Sequence, residues 1–349
     1  MAKKLRMGVV GTGMGRGHMN GYKTHANADL VAICDLDEER LAAAAAEMGV
    51  EETYTDSRKF FRQAGLDAVS IAVPNKFHAP LTIDALKCGL HVLCEKPMAT
   101  TVRQAERMQA AAERAKKNLM INFSFRFTEA SYALKHQVES GALGDIYFGR
   151  SVWHRLRGFP GFGSWFTDKE LAGGGPLIDL GVHRLDLALW LMGYPEPVAV
   201  SGSTYDFLAQ EEARKTGKKY TVEDLGCGLV KFANGATLIL EASWALNIDE
   251  PEHMLTTLYG TKGSLVQRNI KGGYEFIAEL NTEEDGNFFT KKLNRRTQPS
   301  PSAYHEFVNS ILEKRPPAAT GAEGVKVMKI LEGIYKSAET GKEVRYRAS

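Results

Sequence analysis

A glycine-rich turn set between an apolar strand and a helical stretch limits this chain more than any other feature. Leu5–Val10 reads as a β-strand, and Val10-Gly-Thr-Gly-Met-Gly-Arg-Gly-His18 leads from it into a helix. At that junction backbone N–H groups can cradle a pyrophosphate, which is the fingerprint position of a parallel βαβ unit. Gly11, Gly13, Met14 and Gly15 form the candidate cradle. The spacing departs from G-x-G-x-x-G: position 16 is Arg, and extra glycines stand at Gly15 and Gly17. Bare glycines would say little, so the strand–turn–helix context carries the reading.

Asp35 ends the second apolar run, Leu30–Cys34, where a carboxylate accepts hydrogen bonds from an adenosine ribose. It favours NAD over NADP, because it would repel a 2′-phosphate, although Arg16 and Arg40 stand near enough in sequence to serve one. The alternative is that the glycines only shape a turn and Asp35 caps the helix that starts near Asp37.

Beyond the turn, strand-like runs at Ala68–Val73, His91–Cys94 and Leu119–Phe123 alternate with helical stretches at Glu38–Met48, His78–Lys87 and Val102–Lys116. That alternation is how a doubly wound parallel sheet reads, and it ends near residue 124. The pattern then changes. Strand-like segments at Ile146–Arg157, Ala199–Phe207, Gly228–Phe232, Thr237–Trp244 and Leu255–Tyr259 follow with little helix between them, and Asn234-Gly235 is a hairpin signal. A long helix over Pro176–Met192 precedes most of these, and helices over Ala303–Glu313 and Ala322–Glu339 close the chain. Glu279–Gln298 is polar and without period, and reads as loop or irregular edge. The expectation is an α/β chain in two parts: residues 1–124 a Rossmann domain, and residues 125–349 an α+β domain with a large, mostly antiparallel sheet.

The charge balance, 44 Lys+Arg against 42 Asp+Glu, is too even to argue for nucleic acid or an anionic membrane as partner, so a small-molecule substrate fits better. No apolar run approaches the ~20 residues that span a bilayer. The first residues lead directly into the glycine turn without an apolar signal core, which reads as cytoplasmic. Cys34, Cys88, Cys94 and Cys227 have neither metal-ligand spacing nor a disulfide framework, and buried free thiols are expected.

Two further clusters carry chemistry. Lys96 follows the strand His91–Cys94 and precedes Pro97, at the carboxyl edge of an open sheet where ligands bind. Burial beside an oxidised nicotinamide would lower its pKa enough for proton exchange with a hydroxyl, whereas a surface lysine in a connection is the plain alternative. In Gly173-Gly-Gly-Pro-Leu-Ile-Asp-Leu-Gly-Val-His-Arg-Leu-Asp186, spacings of four and three put Asp179, His183 and Asp186 on one face of an otherwise apolar helix. Buried ionisable groups are expensive unless paired or used. His183 suits proton transfer, Asp179 can orient it, and Asp186 reads as structural. A satisfied core histidine remains an alternative. Metal does not recommend itself, since no third ligand falls at recognisable spacing.

Together with Pro74-Asn-Lys-Phe-His78 and Glu95-Lys96-Pro97, these residues resemble the glucose–fructose oxidoreductase and inositol dehydrogenase (Gfo/Idh/MocA) family over essentially the whole chain. The resemblance implies a catalytic set at Lys96, Asp179 and His183, with Lys96 and His183 handling the hydroxyl proton during hydride transfer. It also implies a cofactor lining of Pro74, Asn75, His78 and Glu95, and a homodimer or homotetramer built through the open sheet. Arg126 looks like the arginine that reaches the substrate in relatives.

Trp153-His154-Arg-Leu-Arg157 and the following Phe159–Phe166 stretch with Trp165 supply aromatic faces and donors that suit a pyranose or cyclitol, and Tyr304 opens a late helix that could face the same cleft. Trp153 and Phe162 could equally be core. Three activities compete: a reversible dehydrogenase of a sugar, inositol or polyol; a redox-neutral glycoside-processing enzyme with tightly held NAD; and a non-enzymatic dinucleotide-binding regulator, which the intact Lys96, Asp179 and His183 set disfavours.

Overall fold

Strands covered on both faces carry apolar runs rather than alternation, and the first part of the chain is built from such runs. The computed structural model describes residues 4–293 and 300–346. In order come β1 (Leu5–Val10), α1 (Arg16–Lys23), β2 (Ala28–Cys34), α2 (Glu38–Met48), β3 (Glu52–Tyr54), α3 (Ser57–Gln63), β4 (Ala68–Ile71), α4 (His78–Lys87), β5 (His91–Cys94), α5 (Val102–Ala115) and β6 (Leu119–Ile121). The strands pair in parallel in the order β3-β2-β1-β4-β5-β6. The chain reverses direction across the sheet between β1 and β4, which is the switch point where such folds leave a crevice. Met7, Val9, Ile33, Ile71, Val92, Leu93 and Met120 lie fully buried in this sheet.

Local signals explain why helix bounds here are readable. Asp37 accepts the Arg40 N–H at the start of α2, and Gly49 ends that helix in the left-handed conformation, φ 63°. Thr101 caps α5 in the same way through the Gln104 N–H. By contrast β3 is three residues long and largely exposed, so it leaves no apolar trace in the sequence.

The second half continues with α6 (Glu129–Glu139), β7 (Ile146–Arg155), α7 (Lys169–Ala172), a π-helical turn Leu177–Gly181 running into α8 (Val182–Leu191), β8 (Pro197–Tyr205), α9 (Phe207–Thr216), β9 (Leu225–Phe232), β10 (Thr237–Ser243), β11 (Glu252–Gly260), β12 (Gly263–Asn269), β13 (Phe276–Glu284) and β14 (Asn287–Lys292). The closing elements are α10 (Ala303–Leu312), α11 (Gly321–Thr340) and β15 (Val344–Arg345). Nine strands form one sheet, β14-β13-β12-β11-β7-β10-β9-β8-β15, antiparallel throughout except between β7 and β10. The turn between β9 and β10 holds Asn234, whose side chain accepts the Ala236 N–H, and Gly235 at φ 86°.

Three expectations need correction. Residues 279–284 and 287–292 are not loop: they belong to β13 and the edge strand β14, joined by a turn at Asp285 and Gly286, and all six residues of β14 are exposed, which removes the alternation a sequence reading relies on. Residues 294–298 of the same stretch lie outside the described residues. Cys34 and Cys94 are buried, but Cys227 is half-buried and Cys88 exposed, near the end of α4; all four are free thiols. The chain divides into two compact units, 1–123 with 301–328 and 124–300 with 329–349, so α10 and the first part of α11 group with the Rossmann sheet rather than with the second domain.

Candidate functional site

In the first unit the glycine turn is closed on one side and open on the other. Gly11 has φ +90°, and a Cβ there would sit 2.1 Å from the Ala72 carbonyl oxygen; a Cβ at Gly15 would sit 2.1 Å from the Gly11 carbonyl oxygen. No side chain fits at either position. At Gly13 a Cβ would meet nothing within 4 Å, and Met14 is exposed, so the outward side of the turn is free for a pyrophosphate. Asp35 stands directly after β2. Its carboxylate accepts the Thr12 N–H (2.7 Å), the Thr12 hydroxyl (2.8 Å), the Asp37 N–H (3.0 Å) and a two-toothed contact from Arg40 at 2.7 and 3.1 Å. Burial alone would raise its pKa, but the Arg40 fork and the backbone donors hold it well below the usual carboxylate range. An ionised acid at this place suits a ribose diol, and the residues fit a dinucleotide.

At the carboxyl edge of β4 and β5 the structure sorts the expected lining residues. His78 is fully buried, with its ring nitrogens 2.7 and 2.8 Å from the Pro97 and Val73 carbonyl oxygens, and burial pulls its pKa down. It fastens the two strand-end connections together. Asn75 is buried just after Pro74. Glu95 turns inward: Oε1 takes hydrogen bonds from His18 Nε2 (2.8 Å) and Asn122 Nδ2 (2.6 Å), and Oε2 takes the Lys96 N–H (3.2 Å). Lys96 itself is half-buried at the strand end. Tyr304 belongs to this unit too. It lies in α10 against α1, where Gly17 and Gly21 leave room for its ring, 4.8 Å from the His18 ring.

In the second unit the π-helical turn and α8 present Asp179 and His183, and a wide turn of this kind is common at functional sites. Asp179 Oδ2 accepts the Trp244 indole N–H at 3.1 Å. The His183 ring packs against Phe125 (4.9 Å between centroids) and Trp153 (5.8 Å). Trp153 in turn gives its N–H to Glu252 (2.6 Å), which also accepts Arg155 Nε (2.7 Å). Burial disfavours the Arg155 charge, yet Glu252, Tyr274 and Asp179 hold it above the usual guanidinium range. Phe159, Phe162 and Phe166 pack on the same cluster. Aromatic faces, a carboxylate, an imidazole and a guanidinium thus converge in one unit.

Other expected substrate residues fall elsewhere. Arg126 is 1% exposed and grips Asp186 through Nε (2.9 Å) and Nη2 (2.6 Å), with the Tyr194 hydroxyl bonded to both partners. Its fork is committed to an internal pair. His154 follows Trp153 on β7 and therefore points to the opposite face of the sheet, toward Glu241 (3.4 Å) and His253. Arg157 ties down the Leu246 carbonyl and Asn247 at the surface. Trp165 stacks on Phe166 at 3.8 Å and stays half-exposed.

Sequence reasoning missed His18, Asn122, Arg155, Trp244, Glu252 and Glu223. Glu223 is the buried carboxylate that accepts the Gly175 and Leu177 N–H groups and the Tyr335 hydroxyl, capping the turn that carries Asp179. Only Arg155 had a usable signal: it shares a strand face with Trp153 by the period of two. Among the described residues no group of three or more His, Cys, Asp or Glu is placed to hold a metal ion, and no helix is long and apolar enough to cross a membrane.

Comparison with known proteins agrees with this geometry. Residues 5–123 match the oxidoreductase family with an NAD-binding Rossmann fold, and residues 132–266 match the GFO/IDH/MocA C-terminal domain. The chain is 34% identical over 351 residues to D-glucoside 3-dehydrogenase of Escherichia coli K12, covering 97% of each chain. It is 26% identical to myo-inositol 2-dehydrogenase of Thermotoga maritima, covering 98% of each. Among solved structures, levoglucosan dehydrogenase in complex with NADH superposes with a TM-score of 0.86 at 25% identity, covering 98% of this chain and 99% of that one.

Proposed function

The chain belongs to the Gfo/Idh/MocA family of NAD-binding oxidoreductases, and on that premise we propose that it transfers a hydride between nicotinamide and a ring secondary alcohol of a glucoside, related pyranose or cyclitol. One observation carries the substrate class: Asp179 and His183 border a buried aromatic core of Trp153, Phe125 and Trp244, which leaves these three as packing, and the partly buried Phe159, Phe162 and Phe166 at its edge offer the apolar faces for the C–H side of a sugar ring.

In this reading the Gly11–Gly15 turn receives the pyrophosphate, Asp35 the adenosine ribose, and Asn75 and Pro74 border the nicotinamide end. The bound coenzyme supplies the hydride acceptor or donor. Lys96 exchanges the hydroxyl proton, His183 serves as an acid–base group, and Asp179, steadied by Trp244, tunes the imidazole. Arg155, oriented by Glu252, offers N–H donors to ring hydroxyls.

The outer face of the nine-stranded sheet supports a homodimer or homotetramer. Leu229, Ile239, Phe148 and Tyr259 lie on that face, with the Phe148 and Tyr259 rings stacked 5.9 Å apart and Leu229 and Tyr259 about two-fifths exposed. A soluble coenzyme exchanged at each turnover supports a cytoplasmic location.

The test is absorbance at the reduced-nicotinamide band with NAD or NADP and a panel of glucosides, aldoses, 1,6-anhydro sugars and inositols. Turnover with a panel member, abolished in Lys96→Ala while coenzyme binding persists, is the expected result. Undiminished turnover in Lys96→Ala would sink the catalytic assignment. Silence across the panel with nicotinamide released on denaturation would favour redox-neutral glycoside chemistry.

A further inference from the structure

The turn between β12 and β13 is built to fix one aromatic ring in place. The Gly273 N–H closes it on the Ile270 carbonyl oxygen at 3.0 Å, around Lys271 at φ 54° and Gly272 at φ 63°, the positive pair that a primed hairpin turn demands. Buried Asn269 fastens the turn to β11: its Nδ2 donates to the Gly273 carbonyl oxygen (3.1 Å) and the Glu252 carbonyl oxygen (2.9 Å), and its Oδ1 accepts the Met254 N–H (2.8 Å). Tyr274 follows directly and is 59% exposed.

The side chain is held as firmly as the backbone that carries it. The Tyr274 hydroxyl accepts from Arg155 Nη2 at 3.1 Å and donates to Glu252 Oε1 at 3.3 Å. Burial, with the Glu252 charge, keeps the phenol above its ordinary range against the pull of Arg155, so the donated proton stays on the tyrosine. Trp153 Nε1 (2.6 Å) and Arg155 Nε (2.7 Å) bond to the same Glu252 oxygen, which ties the three side chains into one frame. The Tyr274 ring meets the buried Trp153 ring at 70°, with 6.2 Å between centroids, and Trp153 also packs on His183 at 5.8 Å. One indole thus links the exposed phenol ring to the imidazole.

Scattered exposed aromatics are ordinary and need no special reason. An aromatic ring pinned by its hydroxyl, its neighbours and its turn is different, because the entropy of ordering it has been given up without the gain of full burial. Preorganised apolar faces set beside a few polar groups are what ligand sites offer. The position limits the ligand. Arg155 meets ring hydroxyls through its N–H donors, whereas a free aldose or a cyclitol ends at its hydroxyl rim and brings nothing flat and apolar to a face beside those donors. In a glucoside the anomeric oxygen carries a second group, and that group can be a flat apolar ring.

We propose that Tyr274 is a specificity-determining residue: its ring is the platform of an aglycone subsite, and the substrate is an aryl glucoside rather than a free aldose or a cyclitol. The inference rests on the glucoside reading given above and narrows it. Stacked or edge-to-face contact between an aryl aglycone and the Tyr274 ring adds affinity that a methyl aglycone does not receive.

Equilibrium binding tests this without turnover. The full-length protein, saturated with NADH so that an alcohol substrate binds and is not oxidised, is titrated calorimetrically with methyl and phenyl D-glucopyranosides, each as both anomers. In the parent, the phenyl glucoside of one anomer should bind about tenfold more tightly than its methyl counterpart. In Tyr274→Ala that ratio should fall to about twofold or less, and in Tyr274→Phe, which keeps the ring, it should stay above about fivefold. Because the ratio is taken within each variant, a loosened Arg155 grip on the shared sugar ring cancels. A Tyr274 that only props Arg155 would weaken both glucosides alike and leave the ratio at its parent value.

A parent ratio below about twofold in both anomers overturns the proposal, as does an unchanged ratio in Tyr274→Ala or the binding of neither glucoside. If Tyr274→Ala fails to fold, the parent ratio and Tyr274→Leu, whose ratio should fall below that of Tyr274→Phe, still decide. Failure of the wider reading looks different. A ratio that collapses in Tyr274→Ala, with no hydride passing from any glucoside to NAD in the parent, keeps the subsite and discards the dehydrogenase. Hydride transfer from methyl and phenyl glucosides alike, with a binding ratio near one, keeps the dehydrogenase and discards the subsite.

Discussion

Arg126→Ala separates two roles that the same residue type can play in a sugar enzyme. Both members of the Arg126–Asp186 pair are 1% exposed, joined by contacts of 2.6 and 2.9 Å, and the Tyr194 hydroxyl bonds to each. Truncating the arginine leaves a carboxylate in the interior with its counter-charge gone. At about 4 Å and an effective dielectric near 20 the lost attraction is roughly 4 kcal/mol, and broken buried pairs generally cost about 3–5 kcal/mol. At roughly 2–4 °C per kcal/mol for a unit of this size, the second unit should melt about 6–20 °C lower. Calorimetry and urea denaturation followed by Trp fluorescence measure this. Arg126→Met/Asp186→Leu, which removes both charges and keeps the volume, should recover most of the loss. Stability of Arg126→Ala within about 1 kcal/mol of the parent, together with a tenfold rise in substrate KM, would refute the internal-pair argument and return Arg126 to the substrate.

Three other outcomes test the coenzyme end. Asp35→Ala frees the Arg40 guanidinium and removes the carboxylate proposed to accept from the ribose, so the ratio of NAD to NADP dissociation constants, read by fluorescence titration, should shift at least tenfold toward NADP; an unchanged ratio removes Asp35 from the ribose site. Gly15→Ala would bring a methyl group to 2.1 Å from the Gly11 carbonyl oxygen, a backbone clash that must open the turn, and NAD affinity should fall more than tenfold while the far-UV circular dichroism is kept. The third is acid sensitivity. Glu95 is lowered from 4.5 to about 2, so its stabilisation is fully present above pH about 4.5 and drains away as pH falls toward 2, worth roughly 3 kcal/mol in all. Glu95→Gln should flatten the stability of the first unit over that interval, and an equally steep acid limb in the variant would contradict the assignment.

How far the sequence could be read depended on whether the relevant force was local. Strand β1 and helices α2 and α4 have the expected bounds because apolar pattern and, for α2, the Asp37 cap act within a few positions. The glycine turn and Asp35 were legible for the same reason: a φ of +90° at Gly11 and an acid at the strand end are conditions on single positions. Strand β14 was not legible, since an edge strand exposed along its whole length lacks the alternation that burial writes into a sequence. His154 illustrates a different failure. Its composition suited a sugar site, but strand period sends it to the face opposite Trp153.

The amino-acid order by itself determined the parallel βαβ series, the glycine turn after β1, the strand-end lysine, and the polar positions Asp179 and His183 on an apolar helix. Each is a statement about residues a few positions apart, where hydrogen bonding and side-chain period decide the outcome. Tertiary structure alone decided that Arg126 is sealed against Asp186, 60 residues away, that Tyr304 closes over α1 in the first unit, and that His18 reaches Glu95 across 77 residues. Those partnerships arise because a buried charge must find its complement wherever the fold places one, and the fold, not the neighbouring sequence, sets which groups share a dry interior.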